Sequence, residues 1–169
     1  MSQLSVVLAT AFAHEYRSRA ADLHKWVDPL TDEQFWRNPF PVGTSIGHLV
    51  LHLTGNLRYY IGAQVARTGY IRNRDLEFTE FRRPSKSEVL HKFDETIAIV
   101  VATIEHQSEA DWTAAYTAER EPEARDRFTI FLRCALRLAP LPPRRPDQPS
   151  EQGTHTYLVL LMHTLTPPA

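Results

Sequence analysis

The stretch Ser45–Gly62, which reads SIGHLVLHLTGNLRYYIG, decides the fold because its apolar residues recur at steps of three and four. That spacing is the period of an α-helix that buries one face. Thr44 or Ser45 is a suitable N-cap and Gly69 is a helix-ending residue, so the sequence predicts a helix from Ile46 to about Arg67. Its apolar face consists of Ile46, Leu49, Val50, Leu53, Leu57, Tyr60 and Ile61.

Three further segments have the same helical period. One runs from about Leu4 to Val27 and ends before Pro29, because the residue preceding a proline is pushed out of the helical conformation. Another follows the capping box Ser85–Glu88 and continues to Ile104, and the last covers Phe128–Leu138. Together these segments predict an all-α protein, an up-down antiparallel four-helix bundle with a shortened fourth helix.

The composition changes after residue 139. Residues 140–169 contain seven of the chain's twelve prolines, and proline removes a backbone donor that a helix needs. We therefore expect a helical bundle over residues 1–139 and a Pro/Arg-rich irregular tail over residues 140–169. Residues 70–83 and 107–123 are expected to be connections, the first an ordered loop and the second partly extended.

The composition also argues against several classes of protein. The 169 residues suit one domain, and 19 basic against 20 acidic residues give a net charge of −1, which disfavours binding to nucleic acid through a basic face. No run of 18 apolar residues occurs, so no membrane span is expected. The single cysteine, Cys134, excludes an internal disulfide, and we expect a cytoplasmic protein.

His48 and His52 stand four residues apart on the flank of the apolar face. Side chains at this spacing are neighbours on a helix, and two imidazoles can hold one divalent metal ion. Leu49 stands where the zinc-protease signature has a glutamate, which excludes that reaction. The alternative is that both histidines are half-buried residues with satisfied ring nitrogens and no metal.

The segment NPFPVGTSIGHLVLHLTGNLRYYIG, residues 38–62, resembles the DinB-like superfamily of metal-dependent four-helix bundles. The matching elements are Ser45–Gly47, Leu49–Leu53, Gly55–Arg58 and the charged segment Arg72–Phe78. The resemblance covers about residues 1–133. It implies that His52 is a metal ligand from the second helix and that the last helix adds two more histidines. Characterised members include thiol-dependent S-transferases and related hydrolases or isomerases.

The chain departs from the family pattern where those last two histidines are expected. It reads Arg133-Cys134-Ala135-Leu136-Arg137 there, and the proline-rich stretch follows. A shifted reading frame would account for this, since PLPPRRPD read one base later can spell HFHLGGQI. The departure leaves His52 as the one family ligand, so His48, His155 or His163 would have to complete a site.

Two functions follow from these observations. The first is a metal-dependent enzyme, a thiol-dependent transferase or hydrolase that acts on a small molecule. An atypical C-terminus could impair that activity. Zinc or nickel is the expected ion, a low-molecular-weight thiol is the expected partner, and Asn56, Arg58 and Tyr59 are the expected substrate-binding residues. The alternative is a metal-free helical interaction module that forms a homodimer through the groove left by the short fourth helix.

Overall fold

A computed structural model describes residues 2–38, 44–119 and 121–138. The prediction for the tail, with His155 and His163, lies outside these residues. The helices are α1 (Gln3–Val27), α2 (Asp32–Trp36), α3 (Ile46–Leu57), α4 (Leu76–Thr79), α5 (Lys86–Glu105), α6 (Glu109–Thr113) and α7 (Arg127–Arg137), and a π-helical segment (Arg58–Ala63) continues α3. The strands are β1 (Ala115–Ala118) and β2 (Glu121–Asp126).

The mainly helical character that the sequence predicts is confirmed. Within the described ranges there is also one antiparallel two-stranded ribbon, β1–β2, with Tyr116 opposite Arg125. It begins in the connection at residues 107–123, which was expected to be partly extended and which also contains α6, and it continues to Asp126. The connection at residues 70–83 was expected to be a loop throughout, but it contains the short helix α4.

The helices α3 and α5 begin at the side chains that the sequence indicates. The Ser45 hydroxyl accepts a hydrogen bond from the His48 amide at 3.2 Å and caps α3. At the start of α5, Ser85 and Glu88 form a reciprocal capping box. The helix α7 begins at Arg127, where the Asp126 carboxylate accepts from the Thr129 amide.

The core lies where α1, α3, α5 and α7 pack on one another. Burial of a large apolar side chain stabilises a fold by about 1.5–3 kcal/mol, so these contacts dominate its stability. The largest fully buried side chains include Tyr16, Phe35, Leu57, Ile61, Phe93, Ile104, Ile130 and Phe131. No helix of the described residues combines the length and apolarity that a membrane crossing requires.

His24 links α1 to α5 at the surface of this core. Its Nε2 lies 2.8 Å from a carboxylate oxygen of Asp94, and its Nδ1 lies 3.0 Å from one of Asp28. Partial burial disfavours the charged imidazole, but the hydrogen bonds to Asp94 and Asp28 outweigh that effect and raise the pKa of His24. The protonated ring therefore stabilises the contact between the two helices.

We expect His24→Gln to lower the free energy of unfolding by about 0.5 kcal/mol at acidic pH. Because the folded pKa is the higher one, this stabilisation is complete below the unfolded pKa of about 6.5 and is lost as pH rises through the folded value. Urea unfolding at about pH 5.5 and about pH 9 measures the difference. His14→Gln is the control, because His14 is exposed on the same helix and has no ion pair among the described residues. If His24→Gln lowered the free energy of unfolding equally at both pH values, the raised pKa of His24 would be contradicted.

Candidate functional site

His52 is buried at the centre of α3, with 1% of its surface exposed, and both of its ring nitrogens have partners. Nδ1 lies 2.8 Å from Oε2 of Glu77, and Nε2 lies 2.9 Å from the amide nitrogen of Asn56. The ring of Phe78 covers the imidazole at a centroid distance of 4.7 Å. Since a carboxylate accepts and an amide nitrogen donates, Nδ1 carries the proton and Nε2 presents its lone pair.

Glu77 reaches His52 from α4 and is held there by Arg72. The Arg72 guanidinium donates from Nε to Oε1 at 2.6 Å and from Nη2 to Oε2 at 2.7 Å, a bidentate ion pair. Each of these two side chains is 6% exposed. His52, Glu77 and Arg72 therefore form one buried cluster, which we call the buried triad.

The charges of the buried triad follow from its contacts. Burial alone would raise the pKa of Glu77, but hydrogen bonds from Arg72 and His52 reverse that effect and lower it. Burial lowers the pKa of His52 and outweighs the attraction of Glu77. At neutral pH the triad is thus an ionised carboxylate, a charged guanidinium and a neutral imidazole. A neutral imidazole with a carboxylate on one nitrogen is the arrangement that metal-bound histidines adopt.

Gly55 makes room for the buried triad. It lies three residues after His52 on α3, and a Cβ atom there would overlap the carboxylate of Glu77. The absence of a side chain lets α4 approach α3 closely enough for Glu77 to reach the imidazole. The sequence motif that includes Gly55 therefore has a packing explanation.

His48 makes contacts apart from those of His52. Its Nε2 donates to the Glu80 carbonyl at 3.2 Å, and its Nδ1 accepts from the Ser45 hydroxyl at 2.7 Å. The Trp36 ring packs edge-on against the imidazole at 5.2 Å between centroids. The two histidines thus have separate sets of hydrogen-bond partners, and a metal ion shared by both stays a prediction.

His52 fits one position of a metal site, because its tautomer leaves Nε2 as a donor and Glu77 orients the ring. Catalytic zinc sites use three protein ligands and keep one position open. Across residues 2–38, 44–119 and 121–138, no group of three or more His, Cys, Asp or Glu side chains is arranged to hold a metal ion. The described residues therefore supply one member of such a set.

A cleft of about 400 Å³ adjoins the buried triad and shares Arg72 with it; it is lined by Tyr59, Gln64, Tyr70, Ile71, Arg72 and Glu119. Tyr59, a predicted substrate-binding residue, is part of this lining. Asn56 is buried and bonds to His52, and the Arg58 guanidinium lies 4.5 Å from the centre of the Tyr70 ring, beside a smaller cavity. Arg72 supplies the guanidinium that lines this cleft, and a substrate-binding role for Arg58 stays a prediction.

The π-helical segment positions Tyr59 through a shift in the backbone hydrogen bonds. The amide of Gln64 bonds to the Tyr59 carbonyl, while the amides of Val65 and Ala66 both bond to the Ile61 carbonyl. None of these three amides bonds to the Tyr60 carbonyl. That carbonyl instead accepts a hydrogen bond from the Tyr116 hydroxyl at 3.0 Å. The strand β1, which carries Tyr116, is thereby attached to the segment that presents Tyr59.

Sequence reasoning did not assign roles to Glu77 and Arg72. Both lie in the charged segment Arg72–Phe78, which carried part of the family resemblance. The family pattern was the sequence signal that could have identified Glu77 and Arg72. Helical periodicity could not, because the segment has no helical period and its partners are distant along the chain.

The comparisons with known proteins agree with the resemblance found in the sequence. The family model described as the DinB superfamily matches residues 15–139, which includes α3, the buried triad and α7. No curated protein matches the chain.

We expect Gly55→Ala to lower the free energy of unfolding by about 2 kcal/mol, because separating a buried ion pair costs about 3 kcal/mol or more while alanine adds about 1 kcal/mol of helix propensity. Denaturant unfolding measures this change. Gly62→Ala is the matched control, since its nearest non-local contact, Thr68 Oγ1 at 3.4 Å, leaves room for a methyl group. Equal stability of the two variants would contradict the role of Gly55.

Proposed function

The chain belongs to the DinB superfamily, and on that premise we propose that it is a metal-dependent enzyme acting on a small molecule, with His52 as a ligand of a divalent ion. The observation that supports this most directly is the buried, neutral imidazole whose Nδ1 is bonded to Glu77 and whose Nε2 is an acceptor. We further propose that α1, α3, α5 and α7 form the up-down antiparallel bundle of the family.

Each residue around His52 has a distinct part in this proposal. Glu77 fixes the tautomer and orientation of the imidazole, and Arg72 keeps Glu77 ionised in a buried position. Phe78 covers the ring and limits access of water. The Asn56 amide occupies Nε2 and would turn away to admit a metal ion.

A bound zinc or nickel ion would supply Lewis acidity and would lower the pKa of a thiol or water molecule. The proposed reaction class is therefore transfer or hydrolysis that depends on a low-molecular-weight thiol. Since His52 supplies one donor, the proposal requires further donors to join it; His48 is the nearest histidine in sequence.

Elemental analysis of protein purified from cells supplied with zinc and nickel tests the proposal. We expect about one ion per chain in the parent protein and less than about a tenth of that in His52→Ala. Added metal should also raise the melting temperature of the parent protein and leave that of His52→Ala unchanged. The metal-dependent function would be overturned if the parent protein contained no bound ion, or if added metal did not raise its melting temperature.

Two further variants sharpen this experiment. His91→Gln changes an exposed histidine on α5 and should keep the full metal content. His48→Gln separates two forms of the site: loss of metal would mean that His48 and His52 share the ion, and retention would mean that His48 keeps its contacts with Ser45 and Glu80.

A metal-free module that forms a homodimer is the second candidate. The observation that favours it is on α7, where Leu132 and Leu136 are 40% and 59% exposed and lie one helical turn apart. Apolar side chains so arranged form a face suited to a second copy of the chain, since the two-fold dimer is the commonest oligomer.

For this candidate we expect light scattering to give twice the 19.4 kDa chain mass. Leu136→Lys should raise the dissociation constant of the dimer at least about tenfold, because it would place a charge in the apolar contact. Ile71→Lys, an exposed position outside α7, is the control. A parent protein that is monomeric and fully loaded with metal would rule this candidate out.

A further inference from the structure

The cleft that shares Arg72 with the buried triad has the properties of a small-molecule site. We call it the Arg72 cleft, with the lining given above. Its volume of about 400 Å³ lies within the range of ligand-binding pockets, about 300–1,000 Å³. Two tyrosines, one glutamine and two charged side chains provide its polar groups, and Ile71 provides an apolar wall.

Charges of both signs line the Arg72 cleft. The Arg72 guanidinium directs Nε and Nη2 to Glu77, and no hydrogen bond from Nη1 accompanies these among the described residues. Glu119 is exposed and follows β1, so its carboxylate lies at the rim. The cleft thus offers a cation that retains donors and, separately, a carboxylate that is accessible to solvent.

Among the described residues, the charged groups at the cleft are one ion pair and one separate carboxylate. Arg72 is bonded to Glu77, whereas Glu119 lies at the rim of the cleft. A ligand with only a carboxylate leaves Glu119 unpaired, and a ligand with only an ammonium group leaves the remaining donors of Arg72 unused. A ligand that carries both groups can bond to Arg72 and to Glu119 at once, and the face of Tyr59 favours a cation near it.

We propose that the Arg72 cleft binds a small amphoteric molecule that carries one carboxylate and one ammonium group. The carboxylate pairs with Arg72, and the ammonium group pairs with Glu119. The Tyr70 hydroxyl, whose pKa is raised by burial, stays protonated and adds a hydrogen-bond donor. This deepens the proposed function and rests on it only for the assignment of the bound molecule as substrate.

Three probes that share a phenyl group on a two-carbon chain test the proposal by calorimetry. Phenylalanine carries both charged groups, 3-phenylpropionate carries only the carboxylate, and 2-phenylethylamine carries only the ammonium group. We expect phenylalanine to bind at least about tenfold more tightly than either of the others. The protein is treated with a chelator first, so that the result does not depend on a bound metal.

Glu119→Gln identifies the partner of the ammonium group. It should weaken phenylalanine binding about tenfold and leave 3-phenylpropionate binding as tight as before or tighter. Glu109→Gln, an exposed position on α6, should change neither affinity. The proposal is overturned if the two acids bind equally, if Glu119→Gln has no effect, or if none of the probes binds at about 10 mM.

The two proposals fail in different ways. A protein that takes up no metal but prefers phenylalanine among the probes would refute the metal-dependent function and support the amphoteric cleft. A protein that takes up one ion through His52 and shows no preference for phenylalanine would support the metal-dependent function and refute the amphoteric cleft.

Discussion

The ion pair between Glu77 and Arg72, buried against His52, is the interaction on which the candidate site depends. A carboxylate moved from water into a protein interior loses several kcal/mol of hydration, so it must be paired and fully hydrogen-bonded. Two bonds from Arg72 and one from His52 meet that requirement. Because the carboxylate has to reach across from α4, α3 needs Gly55 at the point of closest approach.

The same pair explains why a charged connection is ordered. Residues 70–83 bury few large apolar side chains, and Ile71 and Phe81 are largely exposed. Polar contacts attach this connection to the rest of the fold instead. The Glu80 carbonyl accepts from His48, and the Pro84 carbonyl accepts from the Trp36 indole at 2.9 Å. With the buried triad, these bonds place Phe78 over His52.

The sequence predicts the helices well and the site only in part. Apolar periodicity and capping side chains locate α1, α5, α7 and the start of α3 to within a few residues, because both signals are local. The helix expected to continue to about Arg67 instead becomes π-helical at Arg58 and ends at Ala63. The sequence also indicates His52 as the central residue. It does not reveal α4, the position of Arg72 in the cleft, or the partners of His48. These depend on contacts between residues about 20 to 35 positions apart and on the π-helical shift after Leu57.

Stability alone does not account for the buried triad. Apolar side chains of similar volume in place of a buried ion pair often leave a protein equally or more stable. The triad does what an apolar cluster cannot: it holds a neutral imidazole in one tautomer, with the lone pair of Nε2 turned toward a small amide side chain. Perturbed pKa values of this kind concentrate at functional sites. Arg72 also faces the adjoining cleft, so one guanidinium both fixes the charge of Glu77 and contributes to a surface that a ligand can reach.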